Sequence, residues 1–152
     1  MDDEVSDNYP RLLEDREVVV ARAGERRQAR LRGWLDGYDG PRPLYRIELF
    51  LDGDRYTGTA MDMFASLVRL RRQLEPDGWT VAVQGARRDT FPSGMTRDMD
   101  GGMRAYVMRP GQKSSIDDLV DTLADAELEQ IGTIEEQQAW HAEWWAASKA
   151  RQ

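Results

Sequence analysis

An α+β fold, with an antiparallel sheet of about five or six strands and a central and a C-terminal helix packed on one face, follows from three features of the chain. Apolar residues alternate with period two in several segments, an apolar stripe with helical spacing runs from Met63 to Leu74, and a tryptophan-bearing segment behind a capping signal closes the sequence. At 152 residues the chain has the length of one ordinary domain.

Residues 1–15 combine acids, Asn8-Tyr9-Pro10 and few apolar groups. They are expected to form a mobile acidic tail outside the core, leaving 16–150 as the single domain. Val18, Val19 and Val20 begin the first strand, and Ala23-Gly24-Glu25 supplies a turn. Gln28 to Leu35 then places Ala29, Leu31, Gly33 and Leu35 on one face, opposite Arg30, Arg32 and Trp34. Asp36 to Pro43 is dense in turn residues and reads as a loop.

Tyr45, Ile47, Leu49 and Leu51 alternate with Arg46, Glu48 and Phe50, and Asp52-Gly53 turns the chain into Arg55–Thr59 as a hairpin. Thr59 is placed to cap the following helix, with Asp62 near its positive end. The stripe Met63, Phe64, Leu67, Leu70, Leu74 is broken only by Arg71, and Pro76 with Asp77-Gly78 ends the helix near Leu74. Trp79–Val83 and Met103–Met108 read as two further strands of the same sheet, joined by a specified loop, and Ser114–Leu128 as a short helix or an irregular docked segment. Thr133 with Glu136 forms a capping-box pattern before the last helix, which carries Trp140, Trp144 and Trp145.

The chain contains no cysteine, which excludes a disulfide framework, thiolate metal sites and a cysteine nucleophile. The acidic start and the lack of any long apolar run point to a cytoplasmic protein with no membrane partner. The net charge of -7 is unevenly spread: the ends are acidic, while the middle of the chain is basic.

The joining loop contains Arg97 and Arg104 beside Ser93-Gly94 and Gly101-Gly102, with Arg87 just upstream. Arginines next to exposed amides suit phosphate or carboxylate, so Arg87, Arg97, Asp98 and Arg104 are the candidates for an anion site. The competing reading pairs Arg97 and Arg104 with Asp89, Asp98 and Asp100 to fix the loop. Met95, Met99 and Met103 recur every four residues, and a short helix there would set them in one packing row, expected in the core. Asp98-Met99-Asp100-Gly101 lacks the later oxygen donors of a calcium loop, and no metal or other cofactor is expected. His141, the single histidine, has no nucleophile or orienting acid placed with it by sequence and reads as a packing or surface residue. Arg26, Arg27, Arg30 and Arg32 with Trp34, Tyr45 and Phe50 outline a face for single-stranded nucleic acid, which the acidic ends disfavour.

Leu67, Arg71, Leu74, Gly78-Trp79, Gly85-Ala86, Phe91-Pro92-Ser93-Gly94-Met95, Arg97-Asp98-Met99, Gly101-Gly102 and Ala105-Tyr106, with Glu136-Gln137 and Trp144, resemble an uncharacterised family of short bacterial proteins with a Pro-Ser-Gly-Met-x-Arg-Asp-Met core. Asp100 departs from the glycine expected there. The resemblance implies that residues 60–148 form one unit and brings no activity, cofactor or catalytic residue with it.

With no assembled catalytic set, the leading expectation is a non-enzymatic domain that binds a basic protein partner, as an immunity protein or adaptor would. Its contact surface is expected at Asp117, Asp118, Asp121, Trp140 and Trp144. A small anion-binding domain or enzyme using the arginine loop, and a nucleic-acid module, are the alternatives.

Overall fold

The computed structural model describes residues 8–150. Its main sheet is an antiparallel meander of four long strands, β1 (Arg11–Arg22), β2 (Glu25–Asp39), β3 (Arg42–Leu51) and β4 (Asp54–Ala60), with the short β5 (Thr80–Val81) added beside β1, giving the order β4-β3-β2-β1-β5. The turns that set the register are those the sequence marks. Ala23 and Gly24 both have positive φ between β1 and β2, as do Asp52 and Gly53 between β3 and β4, the backbone that matches the twist of a tight hairpin.

Helix α1 (Met63–Leu74) lies across β3 and β4. It buries Met63, Leu67, Leu70 and Leu74 against Val18, Val20, Leu31, Ile47 and Leu49 from the sheet, each side chain contributing about 2 kcal/mol relative to exposure. Gly58 lets β4 approach this closely: a Cβ there would lie 2.2 Å from the Ser66 carbonyl oxygen and 2.7 Å from the Leu70 nitrogen. Two α1 side chains bond outward-facing carbonyls of β4, the last strand in the sheet order. Arg69 Nη1 donates to the Thr59 oxygen at 2.8 Å and Gln73 Nε2 to that of Thr57, which blunts the edge against pairing with another chain.

Four expectations are corrected. Strand pairing reaches back to Arg11, opposite Leu35, so residues 11–15 belong to β1 and Leu13 packs against the core; residues 1–7 of the expected tail lie outside the described residues. Asp36 to Pro43 is strand except for the turn at Gly40-Pro41: a bulge between Leu35 and Gly37, with Asp36 as the extra residue, absorbs the irregularity, and Pro43 lies opposite Tyr38 before β4 begins to pair. Thr59 is held in the β3–β4 ladder opposite Arg46, and Asp62 caps α1 instead, its Oδ1 accepting from the Ala65 nitrogen at 2.8 Å. The strand near residue 105 joins a second sheet, made of β6 (Thr90–Phe91), β7 (Arg104–Val107) and β8 (Leu119–Asp121) in that order.

Between β6 and β7 the chain forms α2 (Gly94–Asp100), capped by Ser93 and ended by Gly101 in the left-handed region. After β8 it runs beside residues 82–88, bridging Val83 to Asp125 and Arg87 to Ile131, and enters α3 (Ile134–Ala150). The capping box before α3 is present, with the Thr133 nitrogen donating to Glu136 Oε1 at 2.8 Å and the Glu136 nitrogen to Thr133 Oγ1 at 3.1 Å.

Arg71, the break in the α1 stripe, is only 2 % exposed. Removing a guanidinium from water costs several kcal/mol, which only close, well-aimed acceptors can offset. Here Nη1 donates to Gln137 Oε1 at 2.7 Å and Nη2 to the Gly132 oxygen at 2.8 Å, with Glu75 at 3.4 Å. Burial lowers the pKa of Arg71, against the opposing charges of Glu75 and Glu135. Gln137, itself buried, donates through Nε2 to the carbonyl oxygens of Gly85, Arg87 and Thr90 at 2.8 to 2.9 Å. One amide therefore ties α1, α3 and the chain leading into β6 together. Gln137→Ala is expected to lower the unfolding free energy by about 3 kcal/mol in urea denaturation, while Gln138→Ala, on the exposed neighbour, changes it by less than about 0.5 kcal/mol.

Candidate functional site

The two regions singled out separately in the sequence, the loop after residue 90 and the tryptophan helix, face each other across one groove. It has a volume of about 710 Å³, with Phe91, Met95, Tyr106, His141, Trp144 and Trp145 among its lining residues. Its walls are predominantly apolar, and its size falls in the range of ligand pockets.

Each wall has a local cause. Phe91 pairs with Tyr106 across β6 and β7. His141, Trp144 and Trp145 are three and four positions apart on α3, so a helix presents them to the same side. His141 stacks on Phe91 with ring centroids 4.0 Å apart and planes at 20°, and Phe91 meets Phe64 edge-on at 5.4 Å. Trp140 and Trp144 are braced by their indole N–H groups, which donate to the carbonyl oxygens of Met108 at 2.9 Å and Gln112 at 3.1 Å. Trp145 has 51 % of its surface exposed.

The methionine row behaves differently from expectation. Residues 94–100 are helical, yet Met95 is 69 % and Met99 82 % exposed, and only Met103 packs against the core. The reason is the direction in which α2 is pinned. Ser93 and Thr96 form its capping box and bury Thr96. On the same helix Arg97 Nη1 donates to Asp62 Oδ2 at 3.0 Å, with its guanidinium 5.7 Å from the Phe64 ring and 5.6 Å from the Phe91 ring. The inward side of α2 is thus the buried Thr96 and the half-buried Arg97, and the methionines face out, Met95 at the groove.

The four anion-site candidates do not converge. Arg87 is held by Asp89 at 2.9 and 3.0 Å and by Gln84 at 2.9 Å. Arg104 pairs with Asp100 at 2.9 Å, which raises its pKa, and Asp98 is exposed on α2. Arg97 alone lines the groove. Of the interface acids, Asp117 and Asp121 are exposed, whereas Asp118 is buried beside Arg109 at 2.8 Å. The Arg109 hydrogen bond holds the Asp118 carboxyl below its usual pKa.

On the outer face of the sheet Arg30 and Arg32 share Asp15, Arg46 meets Asp36 and Glu48, and Arg55 meets Glu48. Arg32 and Arg46 also cover the rings of Phe50 and Trp34, while Tyr45 packs against the core. Arg30, Arg32, Trp34, Tyr45 and Phe50 of the set outlined for nucleic acid are thus engaged with the protein itself.

Ser93 and His141 share the groove, but Ser93 Oγ accepts from the Thr96 nitrogen at 3.0 Å and serves as the α2 cap. Nothing in that arrangement activates it as a nucleophile. Among the described residues no cluster of histidine, aspartate and glutamate could hold a metal ion, and no helix is long and apolar enough to cross a membrane. No protein-family model matches the chain, and no curated protein matches it in sequence.

Burial, and then the nearby Arg97 charge, push the His141 pKa below the ordinary imidazole value. A group that binds its proton less readily folded than unfolded stabilises the fold above its ordinary pKa and loses that contribution as pH falls through it. The single histidine makes this directly visible by NMR. His141 is expected to titrate below a model imidazole, and Arg97→Gln to raise its midpoint part of the way back, since burial remains. A midpoint unchanged by Arg97→Gln would remove the charge of Arg97 as a cause.

Proposed function

We propose that this chain is a non-enzymatic protein-binding domain of the bacterial cytoplasm, of the immunity-protein or adaptor kind, which holds an apolar anchor of its partner in the groove between α2 and α3. The observation that carries this reading is the exposure of Met95 and Trp145 at an aromatic groove that both line, with Met99 exposed one turn further along α2. Large apolar side chains massed beside a concave apolar surface mark contact sites, whereas isolated ones do not. Flexible thioethers suit such a surface because they adapt to the shape of what they cover.

Charge adds direction. The net charge of -7 favours encounter with a positively charged partner, and Asp117 and Asp121 are the exposed acids of the expected contact set. In this reading Trp140 and Trp144 act through the groove wall they brace, and Trp145 makes the contact.

Affinity capture from host lysate tests the placement. Wild type and an outer-face Arg30→Glu/Arg32→Glu variant are expected to retain the same protein at near-stoichiometric yield, with nuclease present. Met95→Glu/Trp145→Glu is expected to reduce that yield about tenfold or more. Equal capture by the groove variant, or loss of the captured protein on nuclease treatment, contradicts the reading.

A further inference from the structure

Among the described residues, Arg97 is the one arginine or lysine in the lining of an otherwise mostly apolar groove. Its guanidinium lies against two phenyl rings, and its only hydrogen bond among the described residues is from Nη1 to Asp62. Asp62 is itself shared, since its other oxygen accepts from the Ala65 nitrogen. A guanidinium has five N–H donors in a planar fork, so Nε and Nη2 remain available. A carboxylate matches that fork with two parallel hydrogen bonds. A dianionic phosphate would be a poorer match, because the site offers a single cation already shared with Asp62.

Beside Arg97 stand the stacked pair Phe91 and His141, with the centroid of the Trp145 ring 6.3 Å from that of His141. Flat rings of this kind favour a planar aromatic guest, which gains offset or edge contacts beyond simple burial. A volume of about 710 Å³ holds an indole or naphthyl group with room to spare.

We infer that the groove binds an aromatic ring bearing a carboxylate, with the ring against Phe91, His141 and Trp145 and the carboxylate on the free edge of Arg97. The inference rests on the groove being the binding surface proposed above and names the chemistry of its anchor. The occupant is the C-terminal aromatic residue of the partner polypeptide, which carries ring and carboxylate together; a small free aromatic acid of the same chemistry is the other outcome of the test.

Titrations of the labelled wild-type protein with N-acetyl-tryptophan and with its neutral amide, read from the ring resonances of His141, test it without any substitution. The acid is expected to bind about tenfold or more tightly than the amide, and Arg97→Met to abolish the difference. A short peptide ending in a free tryptophan carboxylate and its amidated form extend the comparison. Tighter binding of the peptide than of N-acetyl-tryptophan supports the chain terminus as occupant, and equal binding overturns it in favour of a small acid. Equal binding of acid and amide overturns the carboxylate while leaving the groove as an apolar contact site. If no ligand moves the His141 signals, the inference is overturned, and capture by the groove variants decides the groove separately.

Discussion

The amide of Gln137 and the guanidinium of Arg71 meet where α1, α3 and the chain between β5 and β6 come together, and the placement of α3 depends on that junction. Around it the packing is dry: Gln137 and Arg71 are nearly inaccessible to water, so each of their polar atoms must find a protein partner or cost free energy. The oxygen of the amide accepts a hydrogen bond from Arg71, and the two hydrogens on its nitrogen are shared among three backbone carbonyls. Such a network fixes orientation more sharply than apolar contact, since sliding α3 by one residue would break several of these bonds together. The Ile134 nitrogen adds a further tie to Glu75 Oε1 at 3.2 Å, at the start of the helix.

From there the groove follows. With Gln137 held, His141, Trp144 and Trp145 project one and two turns further along α3 towards β6 and β7. The opposite wall depends on a second polar knot, at Asp62. That carboxylate caps α1 and pairs with Arg97, while Gly101 and Gly102 bring the end of α2 against it. A Cβ on Gly102 would lie 2.6 Å from Asp62 Oδ1, and one on Gly101 would lie 2.1 Å from the Tyr45 hydroxyl. Both glycines also have positive φ, so geometry and space both select glycine at these positions. The two knots leave an aromatic cleft between rigid walls, a preorganised surface whose binding need not be offset by ordering a loop.

Much of the fold was legible in the sequence because the main sheet is built from local hairpins with strong period-two patterns. Ala29, Leu31, Ile47 and Leu49 are buried as that pattern requires, and Asp52-Gly53 turns where its chemistry allows. The second sheet was hidden because β6 and β8 are two and three residues long and are held by partners far away in the chain. Spacing at i and i+4 shows that Met95 and Met99 share a face without saying whether that face meets the core, and here Thr96 and Arg97 took the inward side. Within the site, Arg97 and Trp144 were visible as candidates. Phe91 and Tyr106 entered only through the family resemblance and, for Tyr106, the expected strand Met103–Met108, and His141 was read as a packing or surface residue. The arginine interrupting the α1 stripe was the one local sign of the polar junction, and its partner at residue 137 could not be paired with it by pattern.

In the proposed reading the groove serves recognition, and that role depends on how firmly α3 is held. Hydrogen exchange of the indole N–H groups in Gln137→Ala, under conditions where the variant stays folded, measures this most directly. If Gln137 holds the helix, Trp140 and Trp144 lose protection while the amides of β2 and β3 keep theirs, and the aromatic wall loosens as a unit. Retained protection at both indoles would show that apolar packing alone seats α3, and simultaneous loss throughout the sheet would show that the junction has no separate role in holding the helix.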